Sequence, residues 1–275
     1  MKYTRESTKY IFKNFFYLVP FAIIPAIFFA ISVDEAAIQA IMKKLVSKST
    51  EEWNFFVLFR AISVLNFGSW QSVVAGIIGI IVTVPCVALL FALIEKHFRI
   101  GKRTFNGIWG KLNDNFVSTC GYVLLLLFIY EIWALLLSAI LTLIFLIDLW
   151  VLAYVLAGVA FLALHFVLVQ AIGTIYLWLP CMQITGFRAL EALHYSQQLM
   201  TPIKKKLAFG QLLVLLVIEG LICVCAVFLP PAGIFLTITT ILYVALILVY
   251  CVRMEIAYFD RDQIERADLN TYYRR

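Results

Sequence analysis

Three side chains that could hold a proton or a cation fall deep inside long apolar runs: Glu131, His165 and Glu219. The two glutamates each follow a leucine-rich stretch, LLLFIYE ending at Glu131 and LLVLLVIE ending at Glu219. Glu131 lies about 11 residues into its run, a depth of roughly 16 Å on a helix, and Glu219 is similarly placed. A charge at the centre of a bilayer helix costs about 2.5–3.5 kcal/mol on insertion scales. No Lys or Arg occurs at the same depth to offset it. Three arrangements meet that cost: protonated, hydrogen-bonded carboxyls, a water-filled cavity, or a proton or cation in transit. The first expectation is a neutral Glu–His–Glu packing network assisted by Tyr130, Gln170 and Thr174, with ion or proton coupling and separate, unconnected roles as the alternatives.

Enzyme chemistry lacks its parts. His97 and His194 fall between the apolar runs, and no serine sits on a nucleophile elbow near a histidine. The glycines form neither a dinucleotide fingerprint nor a phosphate loop. Asp34, Asp114 and Asp148 lie outside the apolar runs, and there is no HExxH pair for an intramembrane protease. The six cysteines form no CxxC pair and no Cys/His cluster, so neither a metal site nor a disulfide framework is expected. The chain is read as a non-enzyme with no catalytic residue, no metal and no cofactor.

The elements that must position these residues are membrane helices. The chain is 64% hydrophobic and 14% charged, against roughly 45–50% and about 25% in a soluble domain. A bilayer core needs about 20 apolar residues per helix, and six runs qualify: Phe15–Val33, Ser72–Ile94, Cys120–Ile147, Leu149–Trp178, Leu207–Leu229 and Ile234–Ile256. Between Cys120 and Trp178 the only Asp, Glu, Lys, Arg or His residues are Glu131, Asp148 and His165. One helix of that length would reach about 90 Å, so the chain must fold back, and Asp148 marks the turn. Of 22 Lys and Arg, 18 fall on the side that carries both termini. The positive-inside rule makes that side cytoplasmic. The first run is read as a retained anchor despite a loose Ala30-Ile31-Ser32 cleavage pattern. The fold class predicted is all-α, a polytopic bundle of six transmembrane helices with amphipathic interfacial helices, in the plasma (inner) membrane. Residues 1–14 form a cytoplasmic N-terminus, 15–256 the membrane domain and 257–275 a solvated cytoplasmic tail.

Segment 34–71 is the one sizeable external region. Ser32-Val-Asp-Glu35 reads as a capping box, and Ser49-Thr-Glu-Glu52 as the cap of a second helix from Trp53 to about Leu65. A helical hairpin resting on the outer surface follows, with Trp53, Phe55, Phe56 and Phe59 at the interface. Inside, Thr104 is positioned to cap an amphipathic helix bearing Phe105, Ile108, Trp109, Leu112 and Phe116. Pro180 is expected to stop the fourth span, after which Phe187, Leu190 and Leu193 make a second apolar stripe. The basic run Lys204, Lys205 and Lys206 suits anionic lipid. Phe105, Trp109, Leu112, Phe187, Leu190, Leu193 and the three lysines are therefore candidate contacts for lipid or a partner. The common plan of the two loops suggests parallel repeats, spans two–three and four–five, as in some transporters. Ala75-x-x-x-Gly79 permits close helix approach, by default within the chain and alternatively in a homo-oligomer.

Leu179-Pro180, Ile184-Thr-Gly186 and Arg188-Ala-Leu-Glu-Ala-Leu-His-Tyr-Ser196-Gln-Gln-Leu199 resemble the inner loop of a bacterial six-span family. That family is similar to the membrane domain of glycerophosphoryl diester phosphodiesterases. The match covers roughly residues 176–229, weakly extended by the six-span layout. It implies a bacterial membrane module and transfers no catalytic residue, because no region here could hold the phosphodiesterase domain. The leading functional expectation is a transport or permease-type module for a lipid-like, peptide or ionic substrate, with the inner loops docking a cytoplasmic ATPase or other membrane proteins. The rival is a non-transporting scaffold or assembly factor. Nucleic acid is not an expected partner, since the basic residues are dispersed among juxtamembrane loops.

Overall fold

The computed structural model describes residues 2–47, 53–228 and 232–269. Among them there is no strand, and the chain forms ten α-helices: α1 (Lys2–Ser32), α2 (Glu35–Ser47), α3 (Phe55–Ile62), α4 (Trp70–Ile100), α5 (Ile108–Ile144), α6 (Trp150–Ile175), α7 (Trp178–Thr185), α8 (Ala189–Met200), α9 (Lys204–Phe228) and α10 (Ala232–Arg261). A 3₁₀ turn, Ala267–Leu269, follows. Six of these elements are long and apolar enough to cross a membrane: α1, α4, α5, α6 with α7, α9 and α10. The protein is an integral membrane helical bundle. The turn between α5 and α6 contains Asp148, as the charge pattern requires.

The bundle is built around α1, α4 and α10. Leu18, Ala22 and Ala26 of α1 are fully buried, as are Leu90 and Ile94 of α4 and Val252 of α10. Small residues on α1 let the helices approach, and α4 is apolar on all sides because it is central. Two thirds of its most apolar stretch is covered by protein, against a third or less in the other spans. Those other helices turn Phe128, Val155 and Val217 outward, the surface expected to meet lipid. Gly76 and Gly79 supply a close approach between elements. A Cβ on Gly79 would lie 3.1 Å from Phe29, and one on Gly76 only 2.8 Å from the Val64 carbonyl oxygen. The small residues near Ala75 thus serve packing inside this chain.

Several local expectations are revised. The N-cap of α2 is Asp34, whose carboxylate accepts the Ala37 N–H at 2.9 Å, because Ser32 is still helical and spends its hydroxyl on Phe29. Residues 48–52 lie outside the described residues. The visible cap of α3 is Asn54, which accepts from Phe56 N at 2.8 Å. Helix α3 then ends at Ile62, shorter than the aromatic pattern suggested. Thr104 caps no separate inner helix: α5 starts after Gly107, at φ 71°, and runs unbroken through the third span. Its first turns carry Trp109 outward, while Leu112 packs on Ile108, Leu89 and Leu93.

Pro180 does not stop the fourth span. It sits in the first turn of α7, where its missing N–H is no loss, and the break falls at Tyr176–Leu177, near the carbonyl four residues before the proline. The chain leaves α7 through Gly186 at φ 72°. The second inner loop therefore carries a short helix, α8, where the first carries none, so the two loops differ in plan.

Within the described residues, both terminal segments pack in part against the bundle. Tyr3, Ser7, Tyr10, Ile11 and Asn14 form one buried stripe on α1, and Ala257, Tyr258 and Phe259 are fully buried on α10. Lys2 pairs with Asp260 at 2.8 Å, and Tyr10 hydroxyl meets His97 Nδ1 at 2.6 Å. Arg266 stands 4.1 Å over the Phe98 ring. Asp262 accepts from Tyr258 at 2.8 Å and also from Tyr195 of α8. That second bond, aided by burial, pushes the Tyr195 hydroxyl up to about 12, so it remains a neutral donor at ordinary pH. Residues 270–275 lie outside the described residues.

Gly76→Ala should lower the melting temperature in detergent, because a Cβ there meets backbone and overpacking costs about 1–3 kcal/mol. Gly121→Ala has nothing within 4 Å and should leave stability unchanged or raise it by up to about 1 kcal/mol. Equal effects at the two sites would contradict the packing described.

Candidate functional site

The three ionisable groups separate into two constructions. Glu131, on α5, faces the chain where it leaves α3. Its carboxylate accepts from Ser63 Oγ at 2.7 Å, Val64 N at 2.9 Å and Leu65 N at 3.2 Å. Next to it, Tyr130 hydroxyl donates to the Ile62 carbonyl at 2.8 Å. Two backbone N–H groups that leave α3 without helical partners are thus satisfied by one side chain. Glu131 is a positioning residue for the α2–α3 hairpin. Arg60 and Asp34 pin the same hairpin at its other edge, with Arg60 Nε 2.9 Å from the carboxylate.

His165 on α6 and Glu219 on α9 do come together, Nε2 to Oε2 at 2.8 Å. The other ring nitrogen, Nδ1, lies 2.8 Å from the Phe161 carbonyl oxygen. A carbonyl only accepts, so Nδ1 carries a hydrogen. The Nε2–Glu219 bond then holds one further proton, either on the ring beside a carboxylate or on the carboxyl beside a neutral ring. The pair is neutral overall in both forms, which is how an acid and a base are tolerated at this depth. Trp133 packs edge-on against the imidazole at 4.7 Å, and its indole N–H donates to the Leu164 carbonyl at 2.9 Å. His165 is fully buried, whereas the Glu219 side chain is 29% exposed.

That exposure opens into a cavity of about 460 Å³ between the hairpin and α5, α6, α9 and α10. Its walls are mostly apolar, and among the described lining residues Glu219 is the one carboxylate, beside the hydroxyls of Tyr130, Tyr154 and Tyr243 and the thiol of Cys223. Trp53 closes one side by stacking on Phe145 at 4.0 Å with rings 11° apart. Tyr154 ties the wall to the hairpin, its hydroxyl 3.3 Å from the Lys44 carbonyl. An apolar space of this volume with a carboxylate among few polar groups suits an amphiphile or drug-sized ligand.

The wider network expected around the glutamates does not form as one unit. Thr174 hydroxyl turns back to the Ala171 carbonyl of its own helix, and Tyr130 serves the hairpin. Trp53, Phe145, Tyr154 and Tyr243 also line the cavity, and no spacing in the sequence marks them for it. Trp53 reads as an interfacial aromatic because the fold-back that buries it is non-local. On the side bearing the termini, Phe105, Trp109, Phe187 and Leu190 are exposed, while Leu193 packs on the core. Lys204, Lys205 and Lys206 form the first turn of α9. Comparison with known proteins adds no identity: no family model, no curated protein and no solved structure matches this chain.

Glu131→Ala should strip the hairpin of its anchor and cost roughly 1–3 kcal/mol, since part-buried donors lose their acceptor. Amide exchange across residues 53–66 should accelerate. Glu219→Gln, which touches no hairpin backbone, should leave that exchange as in the unmutated protein. Protection lost equally in both variants would refute the division of roles.

Proposed function

We propose that this chain is a transport-type membrane module that admits a lipid-like molecule to the cavity beneath the α2–α3 hairpin. The observation that carries the reading is a mostly apolar space of about 460 Å³ whose one carboxylate, among the described lining residues, is Glu219. An apolar body fills such a space by the hydrophobic effect and dispersion. A donor or cationic head group takes the exposed oxygen of Glu219, and the proton shared with His165 redistributes as the head group arrives or leaves. The pair therefore links occupancy to one proton without placing net charge in hydrocarbon. The hairpin, held by Glu131 and by the Arg60–Asp34 pair, is the cover that keeps the cavity from water.

In this reading the protein sits in a bacterial plasma membrane with both ends cytoplasmic, supported by the 18 of 22 Lys and Arg on that side. Exposed Trp109 and Leu190 are the docking points for an ATPase or membrane partner, if the transport is so driven.

Photo-crosslinking in nanodiscs with a lipid carrying a diazirine in its acyl chain tests the proposal. Adducts are expected on the peptides containing Trp53, Leu137 and Cys223, and Gly158→Phe, which fills the cavity, should remove them. Glu219→Gln should reduce lipid transfer between vesicles at least about tenfold, comparable to losing one charge-assisted hydrogen bond. Adducts confined to outward-facing residues such as Phe128 and Val155 would overturn it. Activity that survives Glu219→Gln but is lost with Trp109→Ala or Leu190→Ala would favour the scaffold reading.

A further inference from the structure

The polar side chains around the hairpin cavity accept hydrogen bonds and carry no positive charge. Glu219 Oε2 is 2.8 Å from His165 Nε2, while Oε1 has no hydrogen-bond partner among the described residues. Tyr130 and Tyr154 spend their hydroxyl hydrogens on the Ile62 and Lys44 carbonyls, at 2.8 Å and 3.3 Å. Each phenol oxygen then has only lone pairs to offer. Trp133 commits its indole N–H to the Leu164 carbonyl, so any donor left on the wall is a neutral indole, phenol or thiol. The described lining residues include no Lys, Arg, His, Asn or Gln. Lys44 Nζ stands 5.9 Å over the Trp53 ring but is itself outside that lining.

Such a pole sorts ligands by charge. A phosphate or carboxylate head would stand against Glu219 with no lining cation to offset it, and an unpaired charge in apolar surroundings is strongly unfavourable. An ammonium or phosphonium meets the opposite: a carboxylate, phenol lone pairs and aromatic walls, whose ring faces attract cations. The His165–Glu219 pair is neutral while it holds its shared proton. A cation arriving beside it is therefore offset only when that proton leaves. His165 keeps its Nδ1 hydrogen on the Phe161 carbonyl at 2.8 Å, so Nε2 is left bare. Two bare acceptors repel at hydrogen-bond distance, and Glu219, the partly exposed member of the pair, turns its carboxylate to the cation.

We propose that the hairpin cavity is a site for lipophilic cations, and that each singly charged cation displaces one proton from the His165–Glu219 pair into bulk water. One positive charge enters, one leaves, and no covalent bond between heavy atoms changes. This rests on the reading that a ligand occupies the cavity, and narrows that ligand to a charge class. The ionisable groups facing the pair are Tyr130 and Glu131 of α5, Tyr154 of α6, Cys223 of α9 and Tyr243 of α10. Lys44 and the Arg60–Asp34 pair stand on the hairpin. Glu131 is occupied by Ser63, Val64 and Leu65. Phenols and thiols ordinarily titrate near about 10 and 8.5, so below about pH 7.5 the shared proton is the competitor.

The test titrates the full chain, in an uncharged detergent, separately with tetraphenylphosphonium and tetraphenylborate, which match in shape and differ in sign. Binding is counted as the part lost in Gly158→Phe. The phosphonium is expected to bind at least about tenfold tighter than the borate. Its affinity should fall about tenfold per pH unit from about pH 7.5 to about pH 5.5, and an indicator dye in weak buffer should record one proton released per cation. Glu219→Gln should abolish the release and the pH dependence, whereas Tyr243→Phe, which keeps the carboxylate, should retain both. Equal affinity for the two ions, or phosphonium binding without proton release, overturns the proposal on the unmutated chain alone. Acyl-chain adducts in the cavity beside such a result would leave the lipid-like reading standing and remove only the cationic class. Absence of both adducts and ion binding would remove both.

Discussion

Polar groups cannot be left unpaired in hydrocarbon, and that constraint organises this bundle. Glu131 and His165 with Glu219 answer it in opposite ways. Glu131 reaches out of its helix to satisfy backbone that has left another element, so its cost is met by building the hairpin onto α5. His165 and Glu219 answer each other across α6 and α9, sharing one proton. The first solution supplies a cover. The second leaves an oxygen available beneath it.

The cavity follows from those two contacts. With the hairpin fixed at Ser63–Leu65 and at Arg60–Asp34, its apolar face, including Ile38 and Leu58, is turned toward α5 and α9 without filling the space between. Trp53 and Phe145 close the side by stacking. Large apolar side chains at the rim and Gly158 and Ala157 on α6 leave room that the packing of α1, α4 and α10 nowhere allows. Rigid core and open cavity thus occupy different halves of the same bundle.

Much of the architecture was legible in the chain because length and hydropathy are local properties. The six spans and the turn at Asp148 needed only a count of apolar residues and the thickness of a bilayer. The nomination of Glu131, His165 and Glu219 needed only their depth. Their partners were not legible, since Glu131 binds residues nearly seventy positions away and by backbone, which carries no sequence signal. Arg253 stands near the end of the last apolar run, where sequence alone suggests a membrane-edge cation. In the fold α10 continues to Arg261 and α1 covers it. The signal for that cover was present in Tyr3, Ser7, Tyr10, Ile11 and Asn14, spaced as one helical stripe. Pro180 misled for a physical reason: a proline breaks the helix ahead of itself and fits well inside the next one.

The central claim is that the space beneath the hairpin is a binding site for a lipid-like molecule. A high-resolution electron cryomicroscopy map of the protein in nanodiscs of its native lipid extract tests this most directly. The account requires elongated density within the cavity, with its polar end against Glu219 and the hairpin closed over it. A cavity collapsed by inward movement of Trp53 and Tyr243, or one holding only water beside Glu219, would contradict it.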